Sequence, residues 1–329
     1  MGKNSYGLTM IEGKAISLVI PVFNESATIA MLIDSIDRQT LQPGEVIFID
    51  AGSLDNTVRL TRELKNADSR YRVIEAGRAM PGKARNIGVA AAATEWIAFT
   101  DAGIKLATNW LEELVKKNNE DARASIIYGN YHPVVNSFFE RCAAIAYVSP
   151  LFPGKIRGKF IASCLLKKEV WEKAGGFPDL RATEDLIFIE KAEQLGYKTA
   201  PAPEANVHWQ LRPGISSTFK RFDLYSKYNV WAGRQAFWHY GVARQYALMV
   251  VFILLGIFHH WYWFLLVPVW LAARVTKRIY IHRHEFGIRT IFNPAVFFMV
   301  MLITLVIDAA TFTGWIKALI NKPDAVSAS

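Results

Sequence analysis

From Gln245 to Ala273 the chain runs for 29 residues without an Asp, Glu, Lys or Arg. A second apolar run extends from Thr290 up to Asp308. A charge-free stretch beyond about 18 residues is long enough to cross a bilayer as a helix. In a chain of 329 residues that is 52% hydrophobic, these runs exclude a wholly soluble enzyme and a disordered protein. With only two cysteines, Cys142 and Cys164, it is not a disulfide scaffold either. The length allows one large domain or two modest ones.

Charge divides along the same line. From Gly241 onward eight Lys/Arg face three acids, whereas the first 240 residues carry 30 basic against 26 acidic side chains. Basic residues flanking apolar runs mark cytoplasmic membrane borders. A nucleic-acid binder would concentrate them on its folded domain, so no nucleic-acid partner is expected. The cysteines form no CxxC, which speaks against zinc and thioredoxin-like chemistry and fits a cytoplasmic domain. The earliest apolar run, Ala15 to Phe23, is broken by Ser17 and Pro21. It reads as a buried strand rather than a signal peptide, so the functional part of the chain is expected in the cytoplasm.

The N-terminal half alternates short apolar runs with helical patterns. Strands are expected at Ile16–Ile20, Val46–Ile49, Arg72–Ile74 and Trp96–Thr100. Helices are expected at Glu25–Asp37, Asp55–Asn66, Lys83–Ala93 and Trp110–Lys117. Fully apolar strands alternating with helices predict an α/β fold with a mostly parallel sheet covered on both faces. Two strands end alike, Val46–Asp50 running into Ala-Gly-Ser and Trp96–Asp101 into Ala-Gly. Ligands of open α/β sheets bind outside the carboxyl ends of strands. A lone Asp there is read as a turn cap; two in parallel contexts favour a ligand site.

Gly77-Arg-Ala-Met-Pro-Gly-Lys83-Ala84 has phosphate-loop spacing, but Ala84 stands where magnesium needs Ser or Thr, and Pro81 removes an amide donor. Lys83 and Arg85 beside a helix start remain candidates for a diphosphate, or else form a solvated basic face. Thr183-Glu184-Asp185 precedes helical spacing, with Thr183 as the expected cap. Acids in a first turn are stabilised by the helix dipole, and one inside a cleft is a good general base; local sequence leaves both readings open. His208, Trp209, Gln210 and Arg212 form a mixture suited to sugar stacking and phosphate contact.

Six segments then fall in one order: Pro21-Val-Phe-Asn-Glu25; Ile49-Asp-Ala-Gly-Ser53 with Asp55-Asn-Thr57; Lys83-Ala-Arg-Asn-Ile-Gly88; Phe99-Thr-Asp-Ala-Gly103; Gly175-Gly-Phe-Pro178; and Glu184-Asp185. Together they resemble family 2 inverting glycosyltransferases of the GT-A fold, over residues 15–235. The resemblance implies that Pro21, Phe23, Asn24, Glu25, Asp50, Gly52 and Ser53 bind the nucleoside of an activated sugar. Lys83, Arg85 and Asn86 would lie by its base or diphosphate. Asp101, with Ala102, would be the start of the metal-binding DxD motif, holding Mg2+ or Mn2+. Asp185 would be the base that deprotonates the acceptor hydroxyl, with Glu184 beside it. Trp209, Gln210 and Arg212 would close over the donor phosphates, and His208 would complete the metal shell. Two positions depart from the pattern. Gly103 replaces the second DxD acid, leaving either Asp101 with His208 or the donor itself to hold the metal, and Ala51 stands where many relatives carry Asp. The late loop also lacks the Q-x-x-R-W of processive synthases, which favours single addition.

The domain plan is a GT-A catalytic domain at 1–214, amphipathic juxtamembrane helices at 215–244, and a transmembrane region at 245–329. That region comprises a hairpin at about 245–273, divided at His259-His260, and a span at about 292–316 with Asp308 facing protein. The implied enzyme is a multi-pass cell-membrane glycosyltransferase with a cytoplasmic catalytic domain and membrane-lipid contacts. It would move a sugar from a nucleotide-diphosphate sugar to a lipid-linked or growing surface-glycan acceptor. The alternatives are a nucleotidyltransferase acting on a lipid phosphate and a non-catalytic nucleotide-sensing membrane protein.

Overall fold

The computed structural model describes residues 11–65 and 67–321. Asn66, expected to end the second helix, and the outermost residues of the first and last expected domains lie outside the described residues. In chain order the elements are β1 (Ile16–Val22), α1 (Ile29–Asp37), β2 (Glu45–Asp50), α2 (Thr57–Lys65), β3 (Tyr71–Glu75), α3 (Pro81–Ala91), β4 (Trp96–Phe99) and β5 (Ile104–Leu106). There follow α4 (Trp110–Glu120), β6 (Ile126–Val134), α5 (Phe138–Tyr147), β7 (Cys164–Lys167), α6 (Lys168–Ala174), α7 (Glu184–Gln194) and β8 (Thr199–Gln210). Then come α8 (Ile215–Trp231), α9 (His239–Phe258), α10 (Leu266–Ile281), α11 (Arg283–Phe286) and α12 (Pro294–Ile320).

The chain forms two compact units, the first comprising Met1–Pro133 and Pro153–Gln210. Its sheet has the order β3-β2-β1-β4-β7-β6-β8-β5. β3, β2, β1 and β4 are parallel, as the apolar runs predict. Beyond β4 the sheet turns antiparallel, β4 pairing β7, β7 pairing β6, and β8 pairing β5. The mixed half was not visible in the strand–helix alternation, because β6 and β8 also follow helices, α4 and α7, and yet lie in the half with antiparallel pairings.

Alternate residues of β1 point to opposite faces. Ile16, Leu18, Ile20 and Val22 join one core with Ile29, Leu32, Ile33 and Ile36 of α1 and with Trp110, Leu111 and Leu114 of α4. Val19 joins the other, with Ile47, Ile49, Val89 of α3, Val170 of α6 and Phe188 of α7. Each such side chain contributes about 1.5–3 kcal/mol when fully buried. Gly88 lets α3 lie flush on the sheet, since a Cβ there would stand 2.5 Å from Val19 and 2.6 Å from Ile49.

β1 neighbours both β2 and β4, so the strand order reverses beside β1. In open α/β sheets such a reversal is where ligands bind, at the carboxyl edge of the strands. The segments after β1, β2 and β4, which are Phe23–Glu25, Ala51–Ser53 and Asp101–Gly103, all emerge there.

The second unit comprises Val134–Phe152 and Leu211–Ser329. α12 is its core helix, with Val300, Ile303, Thr304, Ile307 and Thr311 buried. α8 crosses it closely at Gly314, where a Cβ would meet the Asp223 carbonyl at 2.3 Å. Ser226 donates to the Thr311 carbonyl at 2.6 Å and Lys317 pairs with Asp223 at 2.8 Å. Asp308 faces protein, accepting from Arg274 at 2.8 Å and from the Tyr246 hydroxyl at 3.0 Å. α9 and α12 are long and apolar enough to cross a membrane. The chain breaks after α9 at His259-His260, and a 3-10 turn of Trp261–Leu265 leads into the shorter α10.

Candidate active site

The turn after β1 is braced by the turn after β2. Asn24 takes a left-handed φ of 55°, which Asn tolerates better than most residues. Its N–H donates to the Ser53 hydroxyl at 2.9 Å, and its Oδ1 accepts from the Leu54 N–H at 2.8 Å. The Glu25 N–H donates to the Thr57 hydroxyl at 2.7 Å and the Ser26 N–H to Asp55 at 3.1 Å. The Thr57 hydroxyl, with Ser26 and backbone amides, holds the Asp55 carboxyl well below the usual carboxylate range. Pro21 lies within β1 opposite Ile49, while Phe23 is exposed at the edge.

The two strand-end aspartates, alike in sequence, do different things. Buried Asp50 accepts from the Gly52 and Ser53 N–H groups at 3.1 Å, which is the turn-capping role. Gly52 has φ 87°, a conformation that favours glycine. Asp101 caps nothing: its Oδ1 accepts from Arg85 Nη2 at 2.7 Å, and its side chain is 36% exposed. Beside it, Gly103 has φ 80°, and a Cβ there would stand 3.4 Å from Glu25 Oε2. The side-chain space of the absent DxD acid is therefore next to the Glu25 carboxylate.

Arg85 also donates from Nη1 to Glu184 Oε1 at 2.6 Å, with Arg85 3% and Glu184 5% exposed. It thus joins the end of β4 to the start of α7. Thr183, expected as a helix cap, occupies the position without capping. Its φ is 73°, and its hydroxyl is buried without a partner. A β-branched residue in that region is strained. Burial pushes the Glu184 carboxyl up to about 7 against the pull of Arg85, and raises Asp185 in the same way.

Asn86 serves the loop before α7. Its Nδ2 donates to the Phe177 carbonyl, and its Oδ1 accepts from the Phe177 N–H and the Trp171 indole, each at 2.8 Å. Lys83 is exposed in the first turn of α3. The phosphate-loop spacing forms no such loop: α3 begins at Pro81, and Gly82 packs so closely that a Cβ would meet the Pro178 carbonyl at 2.0 Å.

On β8, His208 lies opposite Lys105 and its ring centroid is 5.8 Å from that of His132. Burial, then His132 and Lys105, lower its pKa, keeping the ring neutral. Trp209 meets Tyr131 edge-on at 6.0 Å, and its indole N–H is buried without a partner. Gln210 is exposed at the end of β8, and Arg212 belongs to the second unit. Sequence reasoning missed the Arg85 bridge, the Glu25 carboxylate beside Gly103 and the Asn86 clamp. One signal was available: Gly82, Ala84, Arg85, Gly88 and Val89 share the buried face of α3, and a buried Arg requires an acid.

Among the described residues no three His, Cys, Asp or Glu side chains gather into a metal cluster. Asp101 nonetheless offers one half-exposed carboxylate with Oδ2 outside the Arg85 bond. That suits Mg2+ or Mn2+, hard cations commonly held by one or two carboxylates plus substrate phosphates and water. Asp101 is the residue that would hold the ion.

Residues 17–161 match the family model described as Glycosyl transferase family 2. The putative glycosyltransferase EpsH of Bacillus subtilis is 24% identical over 227 residues, covering 64% of each chain. The glycosyltransferase GlyG of Streptococcus pneumoniae is 30% identical over 118 residues, covering 36% of this chain and 39% of its own. The O-antigen chain rhamnosyltransferase RfbN of Salmonella typhimurium is 27% identical over 221 residues, 63% of this chain and 70% of its own. The chain thus spans under two thirds of the length of EpsH and GlyG. The mannosyltransferase PcManGT from Pyrobaculum calidifontis, solved with GDP-Man and Mn2+, superposes with a TM-score of 0.58 at 17% identity. That match covers 94% of this chain and 88% of PcManGT, and at this identity speaks for the fold alone.

Sheet order, strand-order reversal beside β1 and these matches define the first unit as a GT-A-like glycosyltransferase fold. More narrowly, residues 17–161 match the glycosyltransferase family 2 model.

Proposed function

We propose that this chain is an inverting, membrane-anchored glycosyltransferase that adds single sugars from a nucleotide-diphosphate donor to a lipid-linked or growing surface-glycan hydroxyl. The observation that carries the reading is the Arg85 bridge, which brings the Asp101 and Glu184-Asp185 motifs together at the carboxyl edge of the sheet. In this reading the Asp185 carboxylate takes the proton of the acceptor hydroxyl. The acceptor oxygen attacks the anomeric carbon, and the nucleoside diphosphate leaves from the opposite side with inversion. Asp101 would hold Mg2+ or Mn2+, which would supply positive charge to the leaving diphosphate. In this reading Phe23, Asn24, Glu25, Asp50 and Ser53 would line the nucleoside side, with Lys83 as a further counter-charge. The sugar chemistry of RfbN, a rhamnosyltransferase, and the GDP-Man and Mn2+ bound to PcManGT support this class of donor.

α9 exposes Val250, Val251, Leu254, Ile257 and Phe258. An apolar face of that size supports insertion into a bilayer, with the catalytic domain held in the cytoplasm by the basic residues between α10 and α12. If the hairpin crosses twice and α12 a third time, the C-terminus lies outside, and a C-terminal tag found in the cytoplasm would overturn that topology.

The deciding experiment screens purified protein against a panel of nucleotide sugars with and without Mn2+. Release of free nucleoside diphosphate supports glycosyl transfer; release of pyrophosphate supports nucleotidyl transfer and overturns the proposal. Asp185→Asn is expected to abolish transfer while donor binding survives, and near-normal turnover would remove Asp185 as the base.

A further inference from the structure

One cation is shared by two acids from distant parts of the chain. Arg85 bonds Asp101 at 2.7 Å and Glu184 at 2.6 Å, 16 and 99 residues away. Its guanidinium lies 5.7 Å from the Phe177 ring centroid, and Phe177 is itself clamped by Asn86. Arg85 Nε and Glu184 Oε2 are both buried without partners, so the ion pair is held by one contact per acid rather than closed on itself. A planar guanidinium fixes both the distance and the angle between two carboxylates; an ammonium fixes neither.

We propose that Arg85 is a positioning residue, not a donor ligand: it sets the separation between the donor-side acid Asp101 and the acceptor-side pair Glu184-Asp185. This rests on the reading of Asp101 as the donor-side acid and Asp185 as the base. In-line displacement needs the attacking oxygen and the leaving diphosphate on opposite sides of one carbon, and a misplacement of about 1 Å can cost about a hundredfold in rate. Arg85 is buried, and the bonds it makes run from Nη1 to Glu184 and from Nη2 to Asp101, so its guanidinium is oriented by the two acids.

Arg85→Lys keeps the charge but removes the planar fork that fixes the two carboxylates relative to each other. In full-length protein with Mn2+, kcat for transfer is expected to fall about a hundredfold. The Kd for free nucleoside diphosphate should stay within about threefold, and the share of donor lost to water should rise as the acceptor loses its place. Loss of nucleoside diphosphate binding by a hundredfold would make Arg85 a direct diphosphate contact and overturn the proposal. Unchanged kcat in folded protein would overturn it equally, as would a fall in kcat no larger than the fall in folded fraction.

If Arg85→Lys melts below the assay temperature, Arg85→Gln combined with Glu184→Gln removes one buried cation and one buried anion together. Its kcat, compared with Glu184→Gln alone, then carries the same expectation. Activity in Asp185→Asn would remove the base reading only. The Arg85 test would still stand on nucleoside diphosphate affinity and donor hydrolysis, neither of which uses Asp185.

Discussion

The side-chain amide of Asn86 brackets the backbone of Phe177, its Nδ2 donating to the Phe177 carbonyl at 2.8 Å and its Oδ1 accepting from the Phe177 N–H at 2.8 Å. The amide thus treats residue 177 as a strand treats its neighbour. The same Oδ1 holds the Trp171 indole, and Gly176, with φ 75°, leaves room for it, because a Cβ there would stand 2.8 Å from that oxygen. Asn86→Ala strips partners from a part-buried loop and is expected to cost about 2–4 kcal/mol. Thermal melting checks this, with nucleoside diphosphate affinity of the folded fraction changing little; a large loss of affinity at unchanged melting temperature would return Asn86 to the donor site.

Restoring the missing acid should not restore a metal site. Gly103 has φ 80°, and its side-chain direction meets the Glu25 carboxylate. Gly103→Asp places a second negative charge there and strains the backbone by roughly 1–2 kcal/mol. Calorimetric Mn2+ affinity in the presence of nucleoside diphosphate should fail to rise. Adding Glu25→Gln should relieve part of the destabilisation, because it removes the opposing charge.

Thr183 carries a φ of 73° immediately before the two acids of α7. Glycine relaxes that backbone at no steric cost, so Thr183→Gly is expected to hold or raise the melting temperature. Such strain is worth about 1–3 kcal/mol. Lower kcat in the stabilised variant would show that the strain aims Glu184 and Asp185.

The buried acids set opposite pH trends for stability and rate. Glu184 is raised to about 7, so its contribution to stability is present below the ordinary glutamate value of about 4.3 and is lost as pH rises through about 7. Asp185 is also raised by burial, and a base must be ionised, so kcat should climb with pH over a range above that of an ordinary aspartate. Melting temperature and kcat measured across this window should move in opposite directions. Glu184→Gln should flatten the melting-temperature slope.

The parallel half of the sheet was legible because β1, β2 and β4 are apolar on both faces and carry that signal locally. α1 was expected from Glu25 but begins at Ile29, since Glu25 and Ser26 bond to Thr57 and Asp55, partners some 30 residues away. Pro201 and Pro203 argue against a strand, yet β8 runs through both, and β5 pairs only with Val207, His208 and Trp209. At the site, residue types were readable and pairings were not. Asp50 and Asp101 share a local context, and only the fold shows one closing its own turn while the other meets Arg85.

α5 belongs to the second unit, although the chain on both sides of it belongs to the first. Its Cys142, Ala143, Ile145 and Ala146 are buried, and Arg278 and His282 bond to the carbonyls of Ala146 and Val148. No single cut of the polypeptide therefore frees the glycosyltransferase fold from its apolar helices. A fragment ended after β8 would keep α5 as an orphan, with its packing partners deleted and its apolar side open to aggregation. A soluble version calls for two edits, one terminal and one internal.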